Sequence, residues 1–112
     1  MSTSADTIIY FSDLLTSLGA RIRTRKMFGE YALYCDERVV ALICDDQMFV
    51  KITPDGSQFL GVNYETGAPY PGAKPYFLIG GDIVENKEAL VQLIDLTARA
   101  LPPPKPKKSK SK

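Results

Sequence analysis

The sequence contains no histidine and no tryptophan, and it has only two cysteines, Cys35 and Cys44, among 112 residues. Histidine is the usual general acid or base near neutral pH, and structural zinc sites need four closely spaced sulfur or nitrogen ligands. A structural zinc site is therefore excluded, and no cofactor is expected. Both cysteines lie in apolar stretches, which is typical of small buried residues in a reducing compartment, with a redox role as the alternative.

Long hydrophobic runs are also missing. The longest, such as residues 39–44, fall far short of the about 18 apolar residues that cross a bilayer. Residues 1–7 lack a basic start followed by an apolar segment, so we expect no secretory signal and a cytoplasmic location. The length suits one compact domain, which we place at residues 1–104.

Charge is divided unevenly along the chain. The net charge is +1, but five of the 14 basic residues are lysines within residues 105–112. Residues 1–104 therefore carry nine basic and 13 acidic side chains, a balance that does not predict a duplex-binding surface. The last eight residues consist of lysine, serine and proline, and we expect them to form a disordered tail.

Hydrophobic periodicity predicts the secondary structure. Apolar residues from Ile8 to Leu18 recur at helical spacing, with Ser4 or Asp6 as the cap and Gly19 as a left-handed stop. A strand follows from Ala20, and then three strands cover residues 30–35, 38–44 and 47–53, joined by the two-residue turns Asp36-Glu37 and Asp45-Asp46. Residues 55–60 form a short helix, residues 62–75 an ordered loop and residues 76–79 a strand.

A final helix is capped by Asn86 and ends before Pro102, with its apolar stripe at Leu90, Leu93, Ile94, Ala98 and Leu101. The order of elements predicts a two-layer α+β fold, in which an antiparallel sheet of about five strands carries helices on one face.

The two short turns fix which strand residues share a face, because cross-strand neighbours point the same way. In regular hairpins, the numbers of two facing residues add up to 73 across the first turn and to 91 across the second. This register predicts a core face made of Ala32, Tyr34, Val39, Ala41, Ile43, Met48, Val50 and Ile52. The opposite face then collects five large apolar residues, namely Tyr31, Leu33, Val40, Leu42 and Phe49. This second face is too apolar for water, so either a partner or second copy covers it, or the loop of residues 62–75 or the last helix does.

Basic residues cluster just before the hairpins. Arg21, Arg23 and Arg25 alternate along a predicted strand, with Lys26 beside them. One interpretation is weak, sequence-independent contact with nucleic acid, aided by the lysine tail. The alternative is an exposed edge strand kept soluble by arginines that pair with neighbouring carboxylates.

The stretch that reads Arg25, Lys26, Met27, Phe28, Gly29, Glu30, Tyr31 resembles the arginine-methionine-phenylalanine-glycine-glycine-tyrosine signature of the TfoX/Sxy family amino-terminal domain, with Lys26 and Glu30 as departures. The motifs Gly67-Ala68-Pro69-Tyr70 and Lys74-Pro75-Tyr76 extend the resemblance to roughly residues 8–108. Within the motif, Met27, Phe28, Gly29 and Tyr31 fit a folding corner in which glycine supplies a tight bend.

The resemblance implies a bacterial protein with a fold similar to secretion chaperones and a link to regulators of natural transformation competence. Such regulators act as transcriptional coactivators with the cyclic-AMP receptor protein, and they carry a second helical domain that this sequence does not show. Asp45-Asp46 is typical of a turn, and Gly80-Gly81-Asp82 lacks the context of a dinucleotide fingerprint. We therefore expect a non-catalytic regulatory module that binds a protein partner or forms a homodimer, with direct nucleic-acid binding as the alternative and no small-molecule substrate.

Overall fold

The computed structural model describes residues 3–27, 30–61, 64–80 and 86–102. The predicted corner residues Phe28 and Gly29 and the predicted tail at residues 105–112 lie outside these ranges. Helix α1 spans Ala5–Leu14 and is capped by Ser4, whose hydroxyl accepts a hydrogen bond from the Thr7 amide. A 3-10 helix follows at Thr16–Arg21, and Gly19 there has a φ of 55°, in agreement with its predicted left-handed conformation.

The sheet has six antiparallel strands, one more than predicted. They are β1 (Ile22–Met27), β2 (Glu30–Cys35), β3 (Arg38–Cys44), β4 (Gln47–Val50), β5 (Glu65–Gly67) and β6 (Tyr76–Leu78). Their order across the sheet is β1-β2-β3-β4-β6-β5, so β6 lies between β4 and β5. The sequence indicated only a loop at β5, because Glu65, Thr66 and Gly67 show no apolar alternation.

Two acidic turns join β2 to β3 and β3 to β4, as predicted. Asp36, Glu37, Asp45 and Asp46 all have φ between 52° and 66°, the left-handed conformation that two-residue hairpins require at both central positions. The Asp46 carboxylate also accepts hydrogen bonds from the Ser4 amide at 2.9 Å and the Thr7 hydroxyl at 2.7 Å. The second turn thus anchors the start of α1 to the sheet.

Helix α2 (Pro54–Leu60) begins one residue before the helix predicted at residues 55–60, and the Thr53 hydroxyl caps it by accepting from the Gly56 amide at 3.0 Å. β4 ends at Val50, three residues earlier than predicted. Helix α3 (Lys87–Ala100) is capped by the Asn86 side chain, as predicted. Four of its predicted stripe residues, Leu90, Leu93, Ile94 and Ala98, have no solvent exposure. None of the helices in the described ranges has the length and apolar character needed to cross a membrane.

The pairing of β2 with β3 departs from the predicted register. Cys35 faces Arg38 and Tyr34 faces Val39, as expected, but a bulge then shifts the pairing so that Leu33 faces Ala41. One extra residue, Val40, is accommodated opposite the junction of Tyr34 and Leu33. Beyond the bulge, every β2 side chain points to the opposite face from the one predicted.

The core between sheet and helices therefore differs from the prediction. Ala41, Ile43, Met48 and Val50 lie in it as expected, but Leu33, Val40 and Cys35 join them, together with Phe77 of β6. Tyr34 and Val39 are only partly buried and Ile52 is 44% exposed, so their placement in the core was wrong. The fold itself is the predicted two-layer α+β arrangement, with the helices packed on one face of the sheet.

Candidate binding groove on the outer sheet face

The sheet face turned away from the helices, here called the outer face, is set by one cross-strand row. Ala32 pairs with Leu42, Leu42 with Phe49, and Phe49 with Leu78. These four apolar residues therefore lie side by side on the outer face. Of the predicted partner face, Leu42 and Phe49 belong to this row, whereas Leu33 and Val40 are buried in the core. Tyr31 pairs with the core residue Ile43 and packs against the core, partly buried. The prediction of a five-residue apolar face was wrong, because it assumed no bulge.

Part of the outer face is covered from within the chain. Gly67 lies close to Phe49: a Cβ added at Gly67 would lie 3.4 Å from the Phe49 ring. Phe49 is only 5% exposed. Tyr64 at the start of the same segment instead packs edge-on against the core residue Phe77, with ring centroids 4.9 Å apart, and so lies on the helix side of the sheet. The structure thus favours internal cover by the segment after α2 over a broad partner surface.

Next to this cover lies a cavity of about 680 Å³, here called the outer groove. The strands contribute Met27, Glu30, Tyr31, Leu42, Cys44 and Asp45. The turn after β5 contributes Pro69, Tyr70 and Pro71. Most of these side chains are apolar or aromatic, and two carboxylates stand among them, which is the usual make-up of a site for a polypeptide or small organic group.

The polar groups of the outer groove are held in place. Glu30 Oε1 accepts hydrogen bonds from the Thr3 hydroxyl at 2.6 Å and from the Asp45 amide at 3.1 Å. Burial raises the pKa of the Cys44 thiol, and the charges of Glu30 and Asp45 raise it further. Cys44 is therefore a neutral, weakly nucleophilic wall residue.

Tyr70 is the most exposed aromatic residue of the outer groove, at 56%. It sits in a turn closed by a hydrogen bond from the Ala73 amide to the Tyr70 carbonyl at 3.1 Å, with Gly72 at a φ of 85°. Burial raises the pKa of the nearby Tyr76 hydroxyl, and Tyr70 and Cys44 contribute to the shift. An aromatic ring held on a defined turn, yet open to solvent, is a common anchor in protein interfaces.

The basic cluster is largely neutralised by carboxylates. The Arg21 guanidinium donates to Asp36 at 2.7 Å and to Asp95 of α3 at 2.6 Å, and Arg23 donates to Glu37 at 2.7 Å. The Arg23 guanidinium also lies 4.6 Å from the centre of the Tyr34 ring. β1 is an edge strand, so the structure matches the alternative in which arginines on an edge pair with their neighbours.

Arg21 differs from its predicted position, because it ends the 3-10 helix and reaches toward α3. Arg25 and Lys26 are exposed, and neither forms an ion pair within the part of the chain that the structure describes. Of the four predicted nucleic-acid contacts, Arg21 and Arg23 are thus paired with carboxylates, whereas Arg25 and Lys26 have no ion pair among the described residues. Sequence reasoning did not find the contributions of Pro69, Tyr70 and Pro71, because only the path of the loop brings them to the sheet.

The carboxylates and thiols of the described ranges are scattered. They include no group of three Cys, Asp or Glu side chains placed to hold a metal ion. The two cysteines are free and buried, and burial is the main cause of a raised thiol pKa at each. Neither thiol is therefore activated as a nucleophile.

Comparison with known proteins agrees with the resemblance seen in the motif. Residues 13–101 match the family model described as the TfoX N-terminal domain. A relative from Spirochaeta aurantia, described as an "Uncharacterized 12.7 kDa protein in trpE 5'region", is 45% identical over 114 residues, which cover 100% of this chain and 95% of the relative. A relative of matching size indicates that a stand-alone form of this domain exists. The chain belongs to the TfoX N-terminal domain family.

Proposed function

We propose that this protein is a non-catalytic interaction module of the TfoX type, which binds a segment of a regulatory protein in the outer groove. The observation that carries the proposal is the exposed side chain of Tyr70, which lines a mainly apolar cavity together with Leu42. A buried apolar row next to an exposed aromatic side chain is the arrangement that yields concentrated binding energy.

The regulatory context comes from family membership. The family's link to competence regulators supports a partner that takes part in transcriptional control of natural transformation. We place the protein in the cytoplasm, because a transcriptional partner acts there and because free cysteines such as Cys35 and Cys44 stay reduced there. The non-catalytic part of the proposal is supported by the lack of histidine and by the raised pKa values of both thiols.

The proposal is tested by placing a photo-crosslinking phenylalanine analogue at position 70, and separately at position 10. Tyr10 is a matched control, since it is 50% exposed and lies on α1, away from the outer groove. We expect one bacterial protein to be crosslinked from position 70 and not from position 10. Its affinity for purified full-length protein should then fall by about tenfold or more in Tyr70→Ala and stay unchanged in Tyr10→Ala.

A partner that crosslinks equally from both positions would contradict the proposal. So would a specific partner whose affinity does not respond to Tyr70→Ala or Leu42→Ala. Circular dichroism and thermal unfolding of each variant separate loss of binding from loss of folding.

Direct nucleic-acid binding is the second candidate, and the observation that favours it is the exposure of Arg25 and Lys26 on the edge strand. We expect such binding to be independent of sequence and to weaken steeply with salt, since it depends on phosphate contacts. Arg25→Ala with Lys26→Ala should abolish it, whereas Lys87→Ala, an exposed cation at the start of α3, should not. No duplex binding at low salt would end this candidate.

A further inference from the structure

We propose that a second cavity, lined by Lys51 and Lys74, binds acidic residues of the same partner segment whose apolar residues occupy the outer groove. This cavity, here called the lysine cavity, has a volume of about 800 Å³ and adjoins the outer groove at Tyr70. The inference rests on the proposed function, because it names the chemistry of the segment that the outer groove would hold. That segment is an acidic and apolar polypeptide.

The position of Lys51 is set by the sheet, which it continues for one residue beyond β4. The Lys51 amide donates to the Val40 carbonyl at 2.9 Å. Because side chains alternate along a strand, Lys51 lies on the outer face with Phe49. The β4–β6 register, continued by one residue, places Tyr76 opposite Lys51. Both side chains line the lysine cavity, in agreement with this register.

The lysine cavity holds two cations without counterions. Lys51 is partly buried and Lys74 is exposed, and neither forms an ion pair with any residue that the structure describes. None of the described side chains that line the cavity is a carboxylate. Burial lowers the pKa of Lys51, so the cost of removing this ammonium group from water is not offset by a neighbouring anion. An anionic ligand would supply the missing partner.

The other walls of the lysine cavity suit the carboxylate of a peptide side chain. Burial raises the pKa of the Tyr76 hydroxyl, so this group stays protonated at neutral pH and can donate a hydrogen bond. Ile52 and Leu101 add apolar surface for the methylene groups of an acidic side chain. A nucleic acid fits less well, because its phosphates are bound by an extended basic stripe, whereas these two lysines lie in one concave site.

The two cavities are close enough for one short segment to enter both. Leu42 of the outer groove faces Phe49 on the next strand, at about 5 Å, and Lys51 lies two residues farther along the chain, at about 3.3 Å per residue. The backbones of Leu42 and Lys51 are thus roughly 8 Å apart, a distance that an extended peptide covers in two or three residues. The partner should carry its acidic residue two or three positions from the apolar residue that contacts Leu42 and Tyr70.

Charge also sets the direction of the bound segment. β4 leads from the second acidic turn toward Lys51, so Lys51 lies at the opposite end of the strand from Asp45. Glu30 accepts a hydrogen bond from the Asp45 amide, so both carboxylates of the outer groove lie at the turn end. An acidic residue would be repelled there and attracted at Lys51. Only one of the two possible directions therefore gives complementary charges.

The experiment selects peptides from a displayed library of random decapeptides on the full-length protein. The selection is repeated on the double variant Lys51→Gln with Lys74→Gln, and on Lys87→Gln, which removes an exposed cation at the start of α3. We expect the unchanged protein and the Lys87→Gln control to enrich peptides with an acidic residue two or three positions from an aromatic or aliphatic one. The double variant should still enrich the apolar residue, but without a preference for the acidic one.

A synthetic copy of the most enriched peptide is the second readout, with its affinity measured by fluorescence anisotropy. We expect Lys51→Gln to weaken binding by about fivefold to tenfold, Lys51→Arg to retain most of it, and Lys87→Gln to leave it unchanged. A peptide in which the acidic residue is replaced by its amide should bind more weakly and should no longer respond to Lys51→Gln. Thermal unfolding of each variant separates loss of binding from loss of folding.

Enrichment of apolar residues without acidic ones on the unchanged protein would overturn the inference and leave the proposed function standing. The same conclusion would follow if a partner crosslinked from position 70 bound the double lysine variant with unchanged affinity. Displacement of the peptide by duplex DNA that depends on Lys51 and Lys74 would assign the cavity to nucleic acid and would also overturn the inference. If no peptide were enriched and no partner were crosslinked from position 70, the inference and the proposed function would both fail.

Discussion

Arg21 donates a hydrogen bond through Nη2 to Asp95 Oδ1 of α3 at 2.6 Å, while the same nitrogen contacts Asp36 in the first hairpin turn. One guanidinium therefore joins the start of the edge strand, a turn and the last helix. Asp95 is 74 positions from Arg21 in the sequence, so the contact constrains tertiary structure.

We expect Arg21→Ala to lower the free energy of unfolding by about 1 to 2 kcal/mol, because it removes charge-assisted hydrogen bonds to two carboxylates that remain only partly exposed. Arg25→Ala is the control, since Arg25 has no ion pair in the described ranges, and it should change stability by less than about 0.5 kcal/mol. Urea denaturation followed by circular dichroism measures both. Equal effects would show that the Arg21 contacts contribute nothing to stability.

Acid should destabilise the protein in a defined window. Hydrogen bonds from Arg21 hold the pKa values of Asp36 and Asp95 below their usual value, and hydrogen bonds from the Ser4 amide and Thr7 hydroxyl do the same for Asp46. A carboxylate with a lowered folded-state pKa binds protons more weakly in the folded state than in the unfolded state. Its stabilising contribution is complete above the unfolded pKa and is lost as the pH falls through the folded pKa.

Because no histidine is present, we expect stability to be nearly constant between about pH 5 and 8 and to fall below about pH 4. The slope below about pH 4 should be shallower in Asp95→Asn, which removes one of the titrating groups. Denaturation midpoints measured across this range provide the test. A steep change between about pH 6 and 7 would contradict this account, since the pKa values of Asp36, Asp46 and Asp95 are lowered and those of both thiols are raised.

Val40 and Val39 provide a direct test of the β2–β3 bulge. Val40 has no solvent exposure and lies in the core, whereas Val39 is partly exposed. Val40→Ala removes two buried methyl groups, so we expect a loss of about 2 kcal/mol, and Val39→Ala should cost less than half as much. A larger loss for Val39→Ala than for Val40→Ala would mean that the regular pairing without a bulge, which places Val39 in the core, is the correct one.

Gly56 lies in α2, where alanine would ordinarily stabilise a helix by about 0.5 to 1 kcal/mol. At this position an added Cβ would lie 3.0 Å from the Thr53 hydroxyl, 3.1 Å from Phe77 and 3.4 Å from Leu93. Phe77 and Leu93 have no solvent exposure and little room to move. We expect Gly56→Ala to destabilise the protein by about 1 to 2 kcal/mol, and the exposed Gln58→Ala in the same helix to have no measurable effect.

A gain in melting temperature for Gly56→Ala would show that the contact of α2 with Phe77 and Leu93 is looser than the structure indicates. Differential scanning calorimetry of the two variants distinguishes these outcomes.

The sequence was sufficient for the local elements, because their signals are local. The bounds of β2 and β3, the two acidic turns and the Asn86 cap follow from periodicity and turn chemistry within a few residues. The bulge at Val40 was not predictable, since alternating apolar residues on both faces of β2 and β3 fit either register. β5 was missed for a related reason, because its pairing with β6 and not its composition makes it a strand.

The candidate site depended still more on tertiary structure. The pairing of Arg23 with Glu37 could be foreseen from the first turn, whereas that of Arg21 with Asp95 spans 74 positions in the sequence. Likewise, Leu42 was expected on an apolar face, but the position of Tyr70 beside it is set by the path of the chain after β5. Residues that line a cavity together need not share any pattern along the chain.

The two edges of the sheet restrict how another chain can approach. β1 exposes Arg23, Arg25 and Lys26, and β5 is only three residues long and contains Gly67. Charged side chains and a very short outermost strand both oppose the addition of a further strand through backbone hydrogen bonds. The protein is consequently protected against edge-to-edge polymerisation, and recognition by strand addition is disfavoured relative to side-chain contacts on a face of the sheet.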